Sequence, residues 1–280
     1  MFGSNYYNHP QILMDSLKEM SGNKKNIKNK SSLILTFLQK TYLLIFGIPE
    51  IGFQLRSNYF RDMVSEKVKI NKVKRILDAG SGIGIYTFWL SNKFNKSVVD
   101  GWEIDKNKLS FSEKFAKELK IENTNFTYGD VTKPSFKNKN KYDLIVNIDV
   151  LEHITDYKDV LKSFYKLLAK DGYLFIHTPQ KNQKRIFKSL ENWHHEGHVH
   201  EGFTPDELKK TMVDLGFSNI WVRETFGFFG KLAWELNHMI LPKGFILLGI
   251  SYPLLYLLSK LDLLMDNKRG LGTAILARKK

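Results

Sequence analysis

The sequence predicts an α/β protein with a mostly parallel sheet, and two observations support that fold class. From Val73 to Pro179, short β-branched runs alternate with amphipathic segments, which is typical of βαβ units. The first run, 75–79, ends in the turn Gly80-Ser81-Gly82-Ile83-Gly84, after which a helix can begin. Glycine tolerates the dihedrals of such a turn, and free N–H groups at a helix start face a ligand. Alone, the turn is compatible with a nucleotide-like cofactor or with an ordinary tight turn.

Strands and helices are predicted in alternation along this region. Asp105, Asp156 and Thr204 can each cap a following helix, and Glu207 completes a capping box with Thr204. The apolar runs predict seven strands, at 75–79, 97–102, 125–128, 142–148, 173–178, 219–226 and 272–278.

Two flanking regions differ from this core and give a division into three units. Residues 1–72 are predicted to form an N-terminal helical region, with an apolar stretch at 33–46. The core takes 73–226 and 270–280, and 227–269 forms an apolar helical insertion. The apolar run 244–258 is shorter than the roughly 20 residues of a bilayer-spanning helix and is interrupted by Pro253. An interfacial or re-entrant segment is therefore predicted, with a buried helical pair or a dimer interface as the alternative.

Composition bounds the partners of the chain. Its 280 residues are 42% hydrophobic and 26% charged, which suits a globular protein with a sizeable core. A net charge of +14 favours anionic partners, although a solvated lysine-rich surface gives the same count. The aromatic residues concentrate in the flanks and are not interleaved with arginine, which favours a membrane or an apolar substrate over nucleic acid. The absence of cysteine excludes disulfides, cysteine nucleophiles and cysteine-ligated zinc.

Acidic residues follow the predicted strands in an order that suits a nucleotide-like cofactor. Asp78 precedes the glycine turn, and Glu103 lies about 20 residues after it, where a doubly wound fold binds ribose hydroxyls. Asp105 competes for that role, but its position also suits a helix cap. Asp130 follows the third strand, where a short acid can accept from an adenine amine.

Taken together, these motifs resemble the class I S-adenosylmethionine-dependent methyltransferases. The resemblance covers about Arg75 to Pro179 and includes the segment Val150-Leu151-Glu152-His153-Ile154. It implies a Rossmann-like seven-stranded sheet with an antiparallel last strand and S-adenosyl-L-methionine at the carboxyl ends of the strands. A dehydrogenase is disfavoured because the turn is G-x-G-x-G. The residues implied to bind the cofactor are Asp78, Gly80, Ser81, Gly82, Gly84, Glu103, Ile104, Asp130, Val131 and Asn147.

Histidines near the predicted cofactor site are candidates for a general base, since their pKa lies near neutrality. His153, His198 and His200 are assigned as catalytic candidates, with helix packing or a hydrogen-bonded loop framework as the alternative. Asp149, Glu152 and His153 also resemble the metal cluster of the ubiquinone-pathway O-methyltransferases. Their short spacing is common in related enzymes, so no metal ligand is assigned.

The apolar insertion decides the expected substrate, because it leaves the sheet at the cofactor side of the resembled fold. We expect O-methylation of a lipid or lipid-linked acceptor by a cytoplasmic protein bound peripherally to an anionic membrane. The N-terminus has no basic region followed by an apolar one, so no secretory signal is expected. The alternatives are a soluble sugar or small-molecule O-methyltransferase with a hydrophobic homodimer interface, or a non-catalytic cofactor-binding membrane scaffold. Nucleic acid is an unlikely partner, since no Asn-Pro-Pro-aromatic stretch follows the fourth strand.

Overall fold

A computed structural model describes residues 41–42, 45–46, 50–134, 141–191 and 197–280. Most of the predicted N-terminal region therefore lies outside the described residues. The strands are β1 (Arg75–Ala79), β2 (Val98–Glu103), β3 (Thr124–Tyr128), β4 (Tyr142–Ile148), β5 (Leu168–Pro179), β6 (Phe217–Thr225) and β7 (Gly272–Lys279). Within the described residues, the α-helices of at least nine residues are α1 (Ile51–Lys67), α2 (Ile85–Lys93), α3 (Lys106–Glu118), α4 (Tyr157–Leu167), α5 (Pro205–Asp214), α6 (Phe228–Ile240) and α7 (Phe245–Leu263).

All seven strands form one sheet in the order β3-β2-β1-β4-β5-β7-β6. The pairs of β1 with β2, β2 with β3, β1 with β4 and β4 with β5 are parallel. Strand β7 runs antiparallel to both β5 and β6. The predicted Rossmann-like α/β sheet with an antiparallel last strand is therefore confirmed, and the carboxyl ends of β1, β2, β4 and β5 share one edge.

Apolar residues alternate along the strands and supply a core on each face of the sheet. Ile76 of β1 packs in a cluster with Phe60 and Val64 of α1 and with Trp89 of α2. Its neighbour Leu77 packs in the opposite cluster, which α4 and α5 close from the other side. This alternating burial packs α1 and α2 against one face of the sheet. Helix α1 also lies close to the strand ends, where its Arg56 contacts Asp149.

The helix starts match the prediction at two of the three proposed caps. The Asp105 carboxylate accepts from the N–H groups of Asn107 and Lys108, and the Thr204 hydroxyl accepts from Glu207. The prediction for Asp156 was wrong in its chemistry, because its side chain makes no capping hydrogen bond at the start of α4. The ψ angle of 50° at this residue departs from the extended backbone that a capping side chain usually needs.

Helices α6 and α7 form the insertion between β6 and β7. Buried Trp234 of α6 and Tyr252 of α7 pack against Ile51 and Leu55 of α1 in a third apolar cluster. The insertion is thus attached to the core through α1.

The expectation that Pro253 breaks the apolar run was wrong, since α7 is a continuous helix of 19 residues that contains Pro253. Proline cannot donate to the carbonyl four residues earlier, which is that of Gly249. The Tyr42 hydroxyl donates to the Gly249 carbonyl at 2.7 Å instead, and this contact satisfies the acceptor that proline leaves without its helical partner. The described part of the N-terminal region therefore supports the helix at its weakest point.

Candidate functional site

The glycine turn forms the centre of the site, between β1 and α2. Gly80, Gly82 and Gly84 all adopt positive φ angles, of 88°, 56° and 81°. The N–H groups of Gly80 and Ser81 donate to the Trp102 carbonyl at 2.9 and 2.8 Å, which fastens the turn to β2. Left-handed dihedrals explain why glycine occupies these positions.

The three glycines differ in what surrounds them. A Cβ on Gly80 would lie 2.5 Å from the Val150 side chain, and one on Gly84 would lie 2.8 Å from Phe126. A Cβ on Gly82 would meet nothing within 4 Å. Gly80 and Gly84 therefore serve packing, whereas Gly82 borders open space into which a ligand can approach the backbone.

The Glu103 carboxylate lies beside this open space at the end of β2. One oxygen accepts from the Gly82 N–H at 2.7 Å, and the other accepts from the Asp105 N–H at 2.8 Å. Each carboxylate oxygen can accept a further hydrogen bond, which suits a pair of ribose hydroxyls. Asp105 is the α3 cap, as the sequence indicated, so Glu103 is the better placed of the two acids.

Asp78 lies beneath the turn and is 1% exposed. Its carboxylate accepts from the Thr87 hydroxyl at 2.6 Å, which ties β1 to α2. Burial, with a smaller contribution from the Glu103 charge, raises the pKa of Asp78 to about 7. The buried Ser81 hydroxyl has no hydrogen-bond partner among the described residues, and a bound polar ligand would supply one.

The other predicted cofactor residues are divided between surface and interior. The Asn147 amide donates to the Ala79 carbonyl at 2.7 Å and is fully buried, so it holds β4 against the start of the turn. Asp130 accepts from the N–H and the hydroxyl of Thr132, and these bonds lower the pKa of Asp130. Ile104 is 56% exposed at the end of β2, whereas Val131 is buried in the core.

The catalytic candidates lie on two segments that meet beyond β4. His153 Nδ1 lies 2.9 Å from the Gly197 carbonyl, and its ring meets that of His198 edge to face at 4.8 Å. The Glu152 carbonyl accepts from the backbone N–H groups of Val199 and His200, both at 2.9 Å. The structure therefore brings His153 and His198 together. The remaining two histidines of the cluster, His194 and His195, lie outside the described residues.

His200 is turned to a different task. Its Nε2 lies 3.1 and 3.2 Å from the Ile154 and Thr155 carbonyls, and its ring packs on Tyr157. These contacts match the loop-framework interpretation. Burial, followed by the nearby His153, lowers the pKa of His198, which leaves its ring neutral near pH 7.

Glu152, His153 and His198 also form a group that can hold a metal ion. One ligand atom from each lies within 4.8 Å of the others. The Glu152 carboxylate is fully buried with no hydrogen-bond partner among the described residues, and burial raises its pKa well above the ordinary value. Asp149 is directed to other partners, so the donor set differs from the one that the spacing suggested.

Asp149 belongs to a polar cluster at the ends of β4 and β5 that sequence reasoning missed. Its φ is 52°, and its carboxylate lies 2.6 Å from His177 Nδ1 and 3.1 Å from Arg56 Nε. His177 Nε2 lies 3.0 Å from the Thr225 hydroxyl. The position of His177 near the end of a predicted strand was a usable signal for this edge, but Arg56 comes from α1 and carried none.

This polar cluster opens onto a cleft beneath the insertion. Asp149 and His177 occupy one side of the cleft, and Phe226, Trp234 and Leu271 form its apolar wall. A larger cavity lies elsewhere, beside β6, and is lined by Pro205, Asp206, Lys209, Val222, Arg223, Glu224, Met265, Asp266, Asn267 and Lys268. We take the smaller cleft as the acceptor site because it adjoins the carboxyl ends of β4 and β5, where ligands bind in folds of this kind.

Comparisons with known proteins agree with this geometry. A family model described as a methyltransferase domain matches residues 54–222. The chain is 28% identical to (S)-coclaurine N-methyltransferase of Papaver somniferum over 136 residues, covering 48% of this chain and 38% of that protein. It is 29% identical to the ubiquinone biosynthesis O-methyltransferase of Pelagibacter ubique (strain HTCC1062) over 136 residues, covering 46% of this chain and 55% of that protein.

A solved structure shows the same fold. Phosphoethanolamine N-methyltransferase 2 of Haemonchus contortus, in complex with S-adenosyl-L-methionine, superposes with a TM-score of 0.59 at 18% identity. The match covers 80% of this chain and 52% of that one. The chain thus spans between about two fifths and just over half of the length of these relatives. It belongs to the methyltransferase-domain family, which confirms its resemblance to the class I S-adenosylmethionine-dependent methyltransferases.

Proposed function

We propose that this protein is an S-adenosylmethionine-dependent methyltransferase that O-methylates a lipid or lipid-linked acceptor at an anionic membrane surface. The observation that supports cofactor binding is the open space at Gly82 with the Glu103 carboxylate beside it. The observation that supports membrane binding is the exposed apolar face of α7. This face lies on the far side of the insertion, which covers the acceptor cleft.

The described residues fit the cofactor. Gly82 allows the cofactor to approach the backbone closely, and Glu103 can accept hydrogen bonds from the ribose hydroxyls. The buried Ser81 hydroxyl, which has no hydrogen-bond partner among the described residues, can bond to a polar group of the cofactor. When bound, S-adenosylmethionine supplies a methyl group on a sulfonium, which is already an activated electrophile. The chain's own task is then to align the acceptor, exclude water and take up the acceptor proton. His153 and His198, whose ring centres lie 4.8 Å apart, are our candidates for the last task, and the lowered pKa of His198 leaves its imidazole able to accept a proton.

The membrane proposal starts from the outer face of α7. Ile246, Ile250, Leu254 and Leu257 recur at helical spacing and are 82%, 74%, 60% and 54% exposed. Removing these four side chains from water would contribute about 5 kcal/mol, from roughly 1 to 2 kcal/mol for each partly exposed Leu or Ile. We call them the apolar stripe of α7.

The opposite face of α7 favours a position along the surface of a bilayer over one that crosses it. By length and composition the segment Ile246–Leu263 could span a membrane, and 28% of it is buried in the protein. Its inner side, however, packs on α1 and α6 and contains the fully buried Ser259 and Asp262. A helix fixed to a globular core in this way can dip only its stripe into the lipid.

Charge supports an anionic surface. The chain has a net charge of +14, and the exposed Lys243 and Lys268 lie just before and just after α7. Lysines near an anionic bilayer contribute about 1 kcal/mol each. A shallow apolar contact and a basic surface together give useful affinity, whereas either alone is marginal.

Vesicle flotation tests the membrane proposal. We expect the protein to float with phosphatidylcholine vesicles that contain phosphatidylserine, and less with phosphatidylcholine alone. Ile250→Asp should lower the affinity for these vesicles about 30-fold or more. The substitution loses about 1 to 2 kcal/mol of apolar burial and adds about 1 kcal/mol of repulsion from the anionic lipid. The matched control is Val213→Asp on α5, a 55% exposed valine away from the stripe, which should float like the wild type.

Three results would contradict the proposal. If Ile250→Asp floats as well as Val213→Asp, the stripe does not meet the membrane. If the wild type stays in solution as a dimer that Ile250→Asp dissociates, the stripe is a homodimer interface and the soluble alternative is correct. A protein that binds S-adenosylhomocysteine and floats, but transfers no label from methyl-labelled cofactor to any membrane or soluble extract, would be the non-catalytic scaffold.

A further inference from the structure

His177 is the buried centre of a hydrogen-bonded chain of three side chains beside the acceptor cleft. It lies near the end of β5 and is 2% exposed. Its Nδ1 lies 2.6 Å from the Asp149 carboxylate, and its Nε2 lies 3.0 Å from the hydroxyl of Thr225 at the end of β6. The chain therefore joins the ends of three strands and reaches the cleft at Asp149.

The hydrogen-bonding capacities of these groups assign the proton on the His177 ring. A carboxylate can only accept, so the short contact with Asp149 requires a proton on Nδ1. A neutral ring then has a lone pair on Nε2, which accepts from the Thr225 hydroxyl. A doubly protonated ring would leave the proton of this fully buried hydroxyl without an acceptor among the described residues. The chain therefore predicts the neutral Nδ1–H tautomer of His177.

His177 holds both the backbone and the side chain of Asp149. The φ of Asp149 is 52°, in the left-handed region that residues other than glycine seldom adopt. The His177 carbonyl accepts from the Asp149 N–H at 2.9 Å, while the ring donates to one carboxylate oxygen. Arg56 Nε lies 3.1 Å from the other oxygen. The Asp149 side chain is 27% exposed and lines the cleft, so a hydrogen-bond donor of an acceptor can reach its carboxylate.

Gly272 leaves the space that this chain occupies. A Cβ on Gly272 would lie 2.5 Å from the Thr225 hydroxyl oxygen and 3.0 Å from His177 Nε2. The next residue, Thr273, is as deeply buried as Thr225, but its hydroxyl has no hydrogen-bond partner among the described residues. The two threonines therefore offer a matched comparison of a hydroxyl that belongs to the chain with one that does not.

We propose that His177 is a positioning residue for methyl transfer: it fixes the Asp149 carboxylate, which accepts a hydrogen bond from the acceptor next to its methylated atom. The proposal rests on the proposed function and names the groups that orient its acceptor. With an activated methyl group, the rate depends mainly on alignment of the acceptor, so a displaced anchor slows transfer. The bond from Nδ1 to a carboxylate is charge-assisted and therefore stronger than a bond between neutral groups.

Nitrogen-15 NMR of the histidine rings tests the arrangement without an acceptor. We expect His177 in the wild type, with S-adenosylhomocysteine present and near neutral pH, to be the neutral Nδ1–H tautomer. Loss of one ring signal in His177→Asn identifies that signal among the 8 histidines of the chain. An Nε2–H tautomer, or a doubly protonated ring, would overturn the proposal.

Transfer of labelled methyl groups from S-adenosylmethionine to a membrane lipid extract tests the positioning role. His177→Phe keeps an aromatic ring but removes the donor to Asp149, and it should slow transfer about tenfold or more. His177→Asn carries an amide N–H on Cγ, as the imidazole does at Nδ1, and should recover most of that loss. Thr225→Val should slow transfer about threefold or more, whereas the control Thr273→Val should stay within about twofold of the wild type.

Melting temperatures and affinities for S-adenosylhomocysteine are measured on the same variants, and the affinities should match that of the wild type. Wild-type transfer by folded His177→Phe would overturn the proposal, as would transfer by His177→Asn that is no faster than transfer by His177→Phe. A purely structural role would lower the melting temperatures without this order of rates. If the wild type binds S-adenosylhomocysteine but labels no extract, the proposed function is wrong and the positioning role with it. If the wild type labels the extract and the His177 variants match it, the positioning role alone is wrong.

Discussion

Replacing Glu103 by alanine removes the acceptor that we assign to the cofactor ribose. Each hydrogen bond to a charged group contributes about 1.5 to 3 kcal/mol, so loss of the diol contact should weaken S-adenosylhomocysteine binding about 10- to 150-fold. The same carboxylate holds the Gly82 and Asp105 N–H groups at 2.7 and 2.8 Å. The variant should therefore also lose about 1 to 3 kcal/mol of folding stability.

Calorimetry measures the affinity for S-adenosylhomocysteine separately from stability when the temperature lies well below the unfolding transitions of both the wild type and Glu103→Ala. Asp105→Ala is the matched control, two residues away. It removes the α3 cap, which should cost about 1 kcal/mol of stability and leave cofactor affinity unchanged. Wild-type affinity in Glu103→Ala, or a larger loss in Asp105→Ala than in Glu103→Ala, would refute the assignment.

Four further variants test other parts of the structure. Gly82→Val should lose stability, because a β-branched residue is strained at a φ of 56°, and it should bind no cofactor. Gly80→Ala should lose stability through its positive φ and its contact with Val150. Normal cofactor binding by folded Gly82→Val would mean that the open space is not the cofactor site. The raised pKa of Asp78 means that the folded state holds its proton more tightly than the unfolded state, so this group lowers the free energy of unfolding as the pH rises from about 4 to 7. In urea unfolding, Asp78→Asn should lack that decline. The same pH dependence in Asp78→Asn and in the wild type would contradict this expectation. Glu235→Gln should speed hydrogen exchange of the Ile186 and Phe187 amides about tenfold or more, and unchanged exchange would show that the carboxylate does not hold this loop.

The sheet could be predicted from the sequence because its signals are local. The short run 75–79 and the glycine turn depend on residues adjacent in the chain, and the strand Arg75–Ala79 forms as predicted. The position of Glu103 followed from the strand order alone. Asp156 occupies the position of a helix cap without using its side chain, since its ψ of 50° departs from the extended backbone that a capping side chain usually needs.

The acceptor cleft could not be predicted, because its residues come from distant segments. Arg56 reaches Asp149 only because α1 packs over the strand ends, and Arg185 meets Trp234 only because α6 folds back onto the segment after β5. The continuity of α7 through Pro253 likewise depends on Tyr42, more than 200 residues away in the chain. Such contacts between distant segments leave no periodic pattern in the sequence.

Transfer of an isotope-labelled methyl group from S-adenosylmethionine to a membrane lipid extract tests the central claim most directly. Wild-type protein should place the label in the lipid fraction. Ile250→Asp should reduce that yield, and Glu103→Ala should reduce it at limiting cofactor. Label that appears in water-soluble products alone, at a rate that Ile250→Asp does not change, would contradict the account.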